Sequence, residues 1–182
     1  MKYMVYVFLA DGFEETEALV PVDILRRCGV DVVTVGVGKK TVTSSHKIPV
    51  IADITDTQAT TGNLHAVILP GGMPGTLNLE KSEIVQGFID YASENDLYIC
   101  AICAAPSILG HKNLLNNKDA VCFPGFEKDL YGAKLSSKFA VADGNIITAK
   151  GAGAAMEFGF LIAAKLCGED IANKTRKSMQ CP

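Results

Sequence analysis

At 182 residues the chain has room for one domain with a substantial core, and a single domain over 1–182 is expected. Hydrophobic residues at 48%, charged residues at 20% and a formal net charge of -3 describe a soluble globular protein and exclude the basic face that nucleic-acid binding needs. No apolar run approaches the ~20 residues that would cross a bilayer. The acids Asp11, Glu14, Glu15 and Glu17 follow the apolar start with no small-residue cleavage site, so the reading is a cytoplasmic protein that begins with a core strand.

In chain order, residues 3–9 predict a strand and 15–28 a helix, with Ala18, Leu19, Val22 and Leu25 at helical spacing and Gly29 as its stop. A second strand covers 30–37, and 41–44 with 48–51 read as a small β excursion. Residues 66–69 form a short apolar strand, followed by Pro70-Gly71-Gly72 and a helix over 82–94. The run 97–102 is a buried strand, and a helical pattern starts at Ser107. Further on come a strand at 120–123, a helical turn at 126–131, and a hairpin of 139–142 with 145–148 across Asp143-Gly144. Helices over 154–167 and 170–177 end the series. Strands alternating with helices give a mostly parallel sheet covered on both faces, an α/β fold whose site lies beyond the carboxyl ends of the strands. The loops 11–17, 70–75 and 103–106 share that edge.

Cys103 sits at the turn from the strand 97–102 into the next helix, the cysteine form of a nucleophile elbow. Ala101, Ala104 and Ala105 leave room for the turn and for a substrate. A helix N-terminus beneath the sulfur predicts a thiol pKa well below the ~8.5 of a free cysteine. Glu14 and Glu15 read as acids that complement a helix dipole, whereas Glu17 lies further in, and either a surface or an inward position fits it. An inward Glu17 would have a raised pKa and could share its proton with the sulfur. The glycines after Pro70 let backbone N–H groups approach a ligand, and with the amide after Cys103 they could form an oxyanion hole. The phosphate-loop lysine is missing there.

Six cysteines could form disulfides, but their placement in strands and helices favours reduced thiols. Cys100 and Cys103 have the spacing of a redox pair, yet Cys100 falls inside the strand, and no second Cys/His pair completes a zinc site. His46, His65 and His111 all lie away from the elbow in sequence, which weakens a Cys–His hydrolase reading.

Glu14-Glu15-Thr16-Glu17, Leu69-Pro70-Gly71-Gly72, Ala101-Ile102-Cys103-Ala104-Ala105-Pro106 and Gly151-Ala152-Gly153 with Glu157-Phe158 occur in the order of the ThiJ/PfpI superfamily. The chain resembles the branch of the parkinsonism-linked protein deglycase and its bacterial ThiJ-like relatives, from about residue 3 to about residue 172. The resemblance implies a flavodoxin-like three-layer sandwich, related to class I glutamine amidotransferases, that forms a homodimer. It implies that Cys103 is a reactive, oxidation-prone nucleophile, that Glu17 is the acid hydrogen-bonded to it, and that Gly72 and Ala104 supply the oxyanion amides. Arg27 falls where a dimer-interface arginine is expected, and His46 near a partner-chain arginine of the pocket. Phe123 stands where many members have a histidine, and Ala104 replaces the histidine of the protease branch, which argues against peptidase activity.

The function expected is that of a small-carbonyl enzyme without cofactor or metal, of glyoxalase III or deglycase type. It would act on glyoxal, methylglyoxal or their adducts with amines and thiols. A redox sensor or chaperone working through Cys103 sulfinic acid is the alternative from another class, and a structural domain with an inert cysteine is the third.

Overall fold

The computed structural model describes residues 3–181. Strand β1 (Met4–Leu9) sends Val5, Val7 and Leu9 to one face and Tyr6 and Phe8 to the other, and all five are buried. A strand covered on both faces is an uninterrupted apolar run rather than an alternating one. Helix α1 (Glu15–Arg27) follows. It ends in a Schellman motif: the Gly29 N–H donates to the Arg26 carbonyl and the Val30 N–H to that of Leu25, with Gly29 at φ 82.

Strand β2 (Asp31–Gly36) returns parallel to β1. The β excursion is an antiparallel pair, β3 (Thr41–Thr43) with β4 (Pro49–Ile51), and a two-residue strand β5 (Ile54–Thr55) then joins the edge of β2. Strand β6 (Leu64–Leu69) starts two residues earlier than expected and takes His65 into the strand. Helices α2 (Gly75–Lys81) and α3 (Glu83–Glu94) follow, then β7 (Tyr98–Ile102) and the short α4 (Pro106–His111). Strands β8 (Asp119–Ala120) and β9 (Lys134–Leu135) pair only with each other. The hairpin of β10 (Ala140–Asp143) and β11 (Ile146–Ala149) precedes α5 (Ala155–Cys167) and α6 (Glu169–Ser178).

The main sheet has seven strands in the order β10-β11-β7-β6-β1-β2-β5, parallel except for β10. Its five principal parallel strands run β2-β1-β6-β7-β11, the flavodoxin order, whose switch point falls between β1 and β6. Helices α1, α5 and α6 cover one face, and α2, α3 and α4 the other. The contact of α1 with α5 is close at Gly159, where a Cβ would stand 2.7 Å from Ile24 Cδ1 and 3.3 Å from the Pro21 Cα. Pro21 lies inside α1 and has no N–H to give the Glu17 carbonyl one turn earlier.

Three expectations are corrected. The hairpin loop is Gly144-Asn145, one residue later than expected, because Asp143 pairs with Ile146. The strand expected at 120–123 stops at Ala120: the Val121 N–H goes to the Thr148 hydroxyl and the Phe123 N–H to the Cys103 carbonyl. The helical turn expected at 126–131 is a single 3₁₀ turn, Glu127–Asp129. No helix among the described residues is long and apolar enough to cross a membrane.

Phe158 is fully buried against the sheet, so Phe158→Ala should lower the unfolding free energy by about 3–5 kcal/mol. Urea denaturation followed by circular dichroism measures this, and a loss below ~1 kcal/mol would contradict the packing.

Candidate active site

The loops after β1, β6 and β7 meet at the switch point, where the crossovers from β1 and β6 leave toward opposite faces. Glu14 is the N-cap of α1, its carboxylate accepting the Glu17 N–H at 2.7 Å. Three residues on, Glu17 turns inward and is only 1% exposed. Its Oε2 accepts the Gly71 N–H at 2.9 Å. The Ala152 N–H and the Cys103 sulfur complete its hydrogen bonds.

Cys103 adopts φ 66, a left-handed conformation that costs a non-glycine residue about 1–2 kcal/mol. Both of its backbone polar groups are tied: the N–H donates to the Ala149 carbonyl at 2.9 Å and the carbonyl accepts the Phe123 N–H at 2.8 Å. The strain is thus held by β11 on one side and by the segment after β8 on the other. It delivers the thiol into the space between Glu17 and the amides of Gly72 and Ala104, both of which donate toward the sulfur. Gly71 makes this meeting possible, since a Cβ there would lie 2.6 Å from the Cys103 Cβ and 2.7 Å from Glu17 Oε2. Gly72 is needed for its backbone, at φ 87.

Burial, reinforced by the charge of Glu14, raises the Glu17 pKa to about 7, against the hydrogen bonds from Cys103, Gly71 and Ala152. Burial also pushes the Cys103 thiol up to about 12, and the charge of Glu17 pushes the same way, while the Gly72 and Ala104 amides oppose both. The depressed thiol pKa expected from the sequence is therefore corrected. Helix α4 is only six residues long, and desolvation with a carboxylate neighbour outweighs its amides. The proton on Glu17 decides the state of the pair, because a protonated Glu17 no longer repels the thiolate and can donate to it.

The structure brings Cys103, Glu17, Gly72 and Ala104 together. Arg27, at the far end of α1 and about 15 Å along its axis from Glu17, is exposed and paired with Asp23 at 2.9 Å. His46 is exposed in the β3–β4 loop, with Nδ1 2.8 Å from Glu15 Oε1, on the outer side of the first turn of α1. Among the described residues, Glu14, Glu15 and His46 form the one group with metal-ligand spacing, within 4.8 Å, but Glu14 is engaged as the N-cap and Glu15 and His46 bind each other. His65 bonds to the Asn63 carbonyl and His111 hydrogen-bonds to Glu80. Cys100 is fully buried in the core layer under α1 and α5. Sequence reasoning missed the roles of Ala149, Ala152 and the Phe123 amide, and it read the Gly71 N–H as an oxyanion donor where the structure gives it to the Glu17 carboxyl. Gly151-Ala152-Gly153 follows the carboxyl end of β11, and the strand-edge rule that singled out the other three loops applies equally to it.

Fold and site together define an α/β sandwich of flavodoxin order with a strained cysteine at the carboxyl edge of its sheet and a buried acid against the sulfur. The DJ-1/PfpI family pattern matches residues 3–165, and the chain belongs to that family. It is 31% identical to protein dj-1beta of Drosophila melanogaster, over 98% of this chain and 97% of that one. It is 32% identical to the Parkinson disease protein 7 homolog of Danio rerio, over 93% of each chain. Among solved structures, a DJ-1 superfamily protein from Salmonella typhimurium, crystallised as a cysteine-to-alanine mutant, superposes with a TM-score of 0.94 at 34% identity over 100% of both chains.

An acid whose pKa rises on folding stabilises the fold at low pH and loses that contribution as pH climbs through its folded value. Between about pH 4.5 and 7 the unfolding free energy should fall, by about 3 kcal/mol at most, and Glu17→Gln should remove this slope. Urea unfolding at pH 4.5, 6 and 8 reads it, and equal slopes in both proteins would overturn the assignment.

Proposed function

We propose that the protein converts small α-oxoaldehydes, glyoxal or methylglyoxal, or their adducts with amines and thiols, to α-hydroxy acids, in the manner of a glyoxalase III or deglycase. The observation that carries the reading is a buried carboxyl with a pKa near 7 in hydrogen-bond contact with a thiol, beside two converging backbone amides. A proton carrier works best with a pKa near the working pH. Because burial holds Cys103 as a thiol, attack is coupled to proton transfer. The sulfur bonds to the aldehyde carbon as its proton passes to the Glu17 carboxylate, and the oxyanion at the Gly72 and Ala104 amides takes that proton to give a hemithioacetal. Glu17 then removes the proton on C1 and returns it to C2, while the hydroxyl proton passes from the oxygen on C1 to that on C2, leaving an α-hydroxy thioester. Water cleaves this to the free acid and regenerates the thiol. The net reaction adds one water and needs no redox partner.

A redox sensor or chaperone working through Cys103 is the second reading, but oxidation of the sulfur does not call for a proton carrier in contact with it beside two converging amides. The geometry therefore favours the enzyme. Lactate release from methylglyoxal should fall at least about 100-fold in Cys103→Ser and in Glu17→Gln. Equal rates in wild type and Cys103→Ser would overturn the proposal.

We further propose a homodimer with Arg27 and His46 at or near its two-fold interface. Leu19 on α1, with Ile48 and Ile51 around the β3–β4 hairpin, places exposed apolar side chains on the same loop and helix as His46 and Arg27. Light scattering at micromolar protein should give twice 19.3 kDa, and a monomer mass would count against the interface.

A further inference from the structure

Beyond the end of β11 a cavity of about 330 Å³ opens between the segment Lys150–Ala154 and the residues Phe123, Pro124 and Phe139. Its walls are almost all carbon. The Phe123 and Phe139 rings are 47% and 59% exposed, and the single charged side chain in the lining, Lys150, places its ammonium 5.8 Å from the centre of the Phe139 ring. Half-exposed aromatic rings facing one concavity gain free energy when an apolar group fills it.

This cavity adjoins the reacting pair through backbone contacts on both sides. Phe123 donates its N–H to the Cys103 carbonyl, and Ala152 donates its N–H to the Glu17 carboxyl. Between them lies Gly151. A Cβ at this position would sit 3.1 Å from Phe123 Cδ2 and 3.9 Å from Glu17 Oε1, so one methyl group would fill the gap between ring and acid. Gly151 has φ 164, an extended backbone open to any residue. What glycine supplies here is space, on the line from the acid to the cavity.

We propose that the cavity receives the carbon substituent of the aldehyde substrate, and that the protein prefers α-oxoaldehydes bearing an aryl or branched alkyl group over methylglyoxal and glyoxal. The proposal rests on the reading that Cys103 adds to an aldehyde. With the carbonyl carbon on the sulfur and its oxygen at the Gly72 and Ala104 amides, the substituent runs past Glu17 on the side of Gly151, where no side chain stands in its way, and lies against the Phe123 and Phe139 rings. At about 330 Å³, open to solvent on one side, the depression has room for a phenyl ring. Burying a phenyl rather than a methyl group should raise kcat/KM roughly 10- to 100-fold.

Two measurements test this. The first compares kcat/KM for phenylglyoxal and methylglyoxal in wild type, Gly151→Ala and Phe139→Ala. The second needs no turnover: the rate at which Cys103 is alkylated by N-phenyl iodoacetamide relative to iodoacetamide, normalised to the same ratio for glutathione and read by peptide mass spectrometry. In that step the sulfur bonds to the methylene carbon, iodide leaves and the thiol proton goes to solvent. Wild type should favour the aryl compound at least about tenfold in both assays, and both variants should bring the ratios toward one. Phe139 is largely exposed, so its replacement keeps the test valid should Gly151→Ala misfold. Equal alkylation by the two reagents in wild type would overturn the pocket whatever the turnover. Aryl-selective alkylation without turnover of either aldehyde would overturn the glyoxalase reading and leave the pocket standing.

Discussion

A buried carboxyl and a half-buried thiol in hydrogen-bond contact cannot both ionise near neutral pH, and the rest of the site is arranged around that constraint. Burial raises both pKa values, the charge of Glu17 raises the thiol's further, and the hydrogen bond from the thiol lowers the acid's. The amides of Gly71 and Ala152 on the acid, and of Gly72 and Ala104 on the sulfur, offset part of that penalty without adding a full charge. The pair thus holds a mobile proton between two adjacent atoms. That is the condition for acid–base work by one residue at successive atoms.

Holding two such groups in contact requires a scaffold that does not yield. The loop after β1 and the loop after β6 are locked backbone to backbone. A Cβ at Gly12 would strike the Pro74 ring at 2.4 Å, one at Gly72 the Glu14 nitrogen at 2.4 Å, and one at Gly75 the Phe13 nitrogen at 2.5 Å. The Glu14 N–H donates to the Gly71 carbonyl, and the Asn78 side chain to that of Asp11. The acid loop and the glycine loop therefore act as one piece, against which the strained turn at Cys103 is pressed.

Much of this was legible from residues alone. Continuous apolar runs marked β1, β6 and β7, and periodicity marked α1, α3 and α5, because packing and local propensity agree there. Disagreement arose where a tertiary partner took a backbone group. Residues 121–123 look like strand, but Thr148 and Cys103 claim their amides. Helix α2 was missed because its seven residues begin inside the glycine turn, with too little periodic pattern to read. Asp143-Gly144 is a strong turn signal, yet Asp143 stays in the strand while its carboxylate accepts the Asp119 N–H. At the site, residue types pointed to Cys103 and Glu17, but the direction of the thiol shift depends on solvent exclusion, which a linear pattern does not encode. Within one chain Arg27 and His46 stand apart from the pocket, each bonded to an acid of α1.

Pro21 gives α1 a property of its own. The Glu17 carbonyl lacks the N–H it would otherwise receive one turn later, so the turn bearing the acid is tied less firmly to the remainder of its helix. What anchors it instead is the Glu14 cap and the bonds of its own side chain to Gly71 and Ala152. The acid is therefore registered to the loops of the pocket rather than to the axis of α1. Sliding of α1 against α5, whether through repacking at Gly159 or through a partner pressing on the outer face of the helix, would be absorbed at the proline before it displaced the carboxyl.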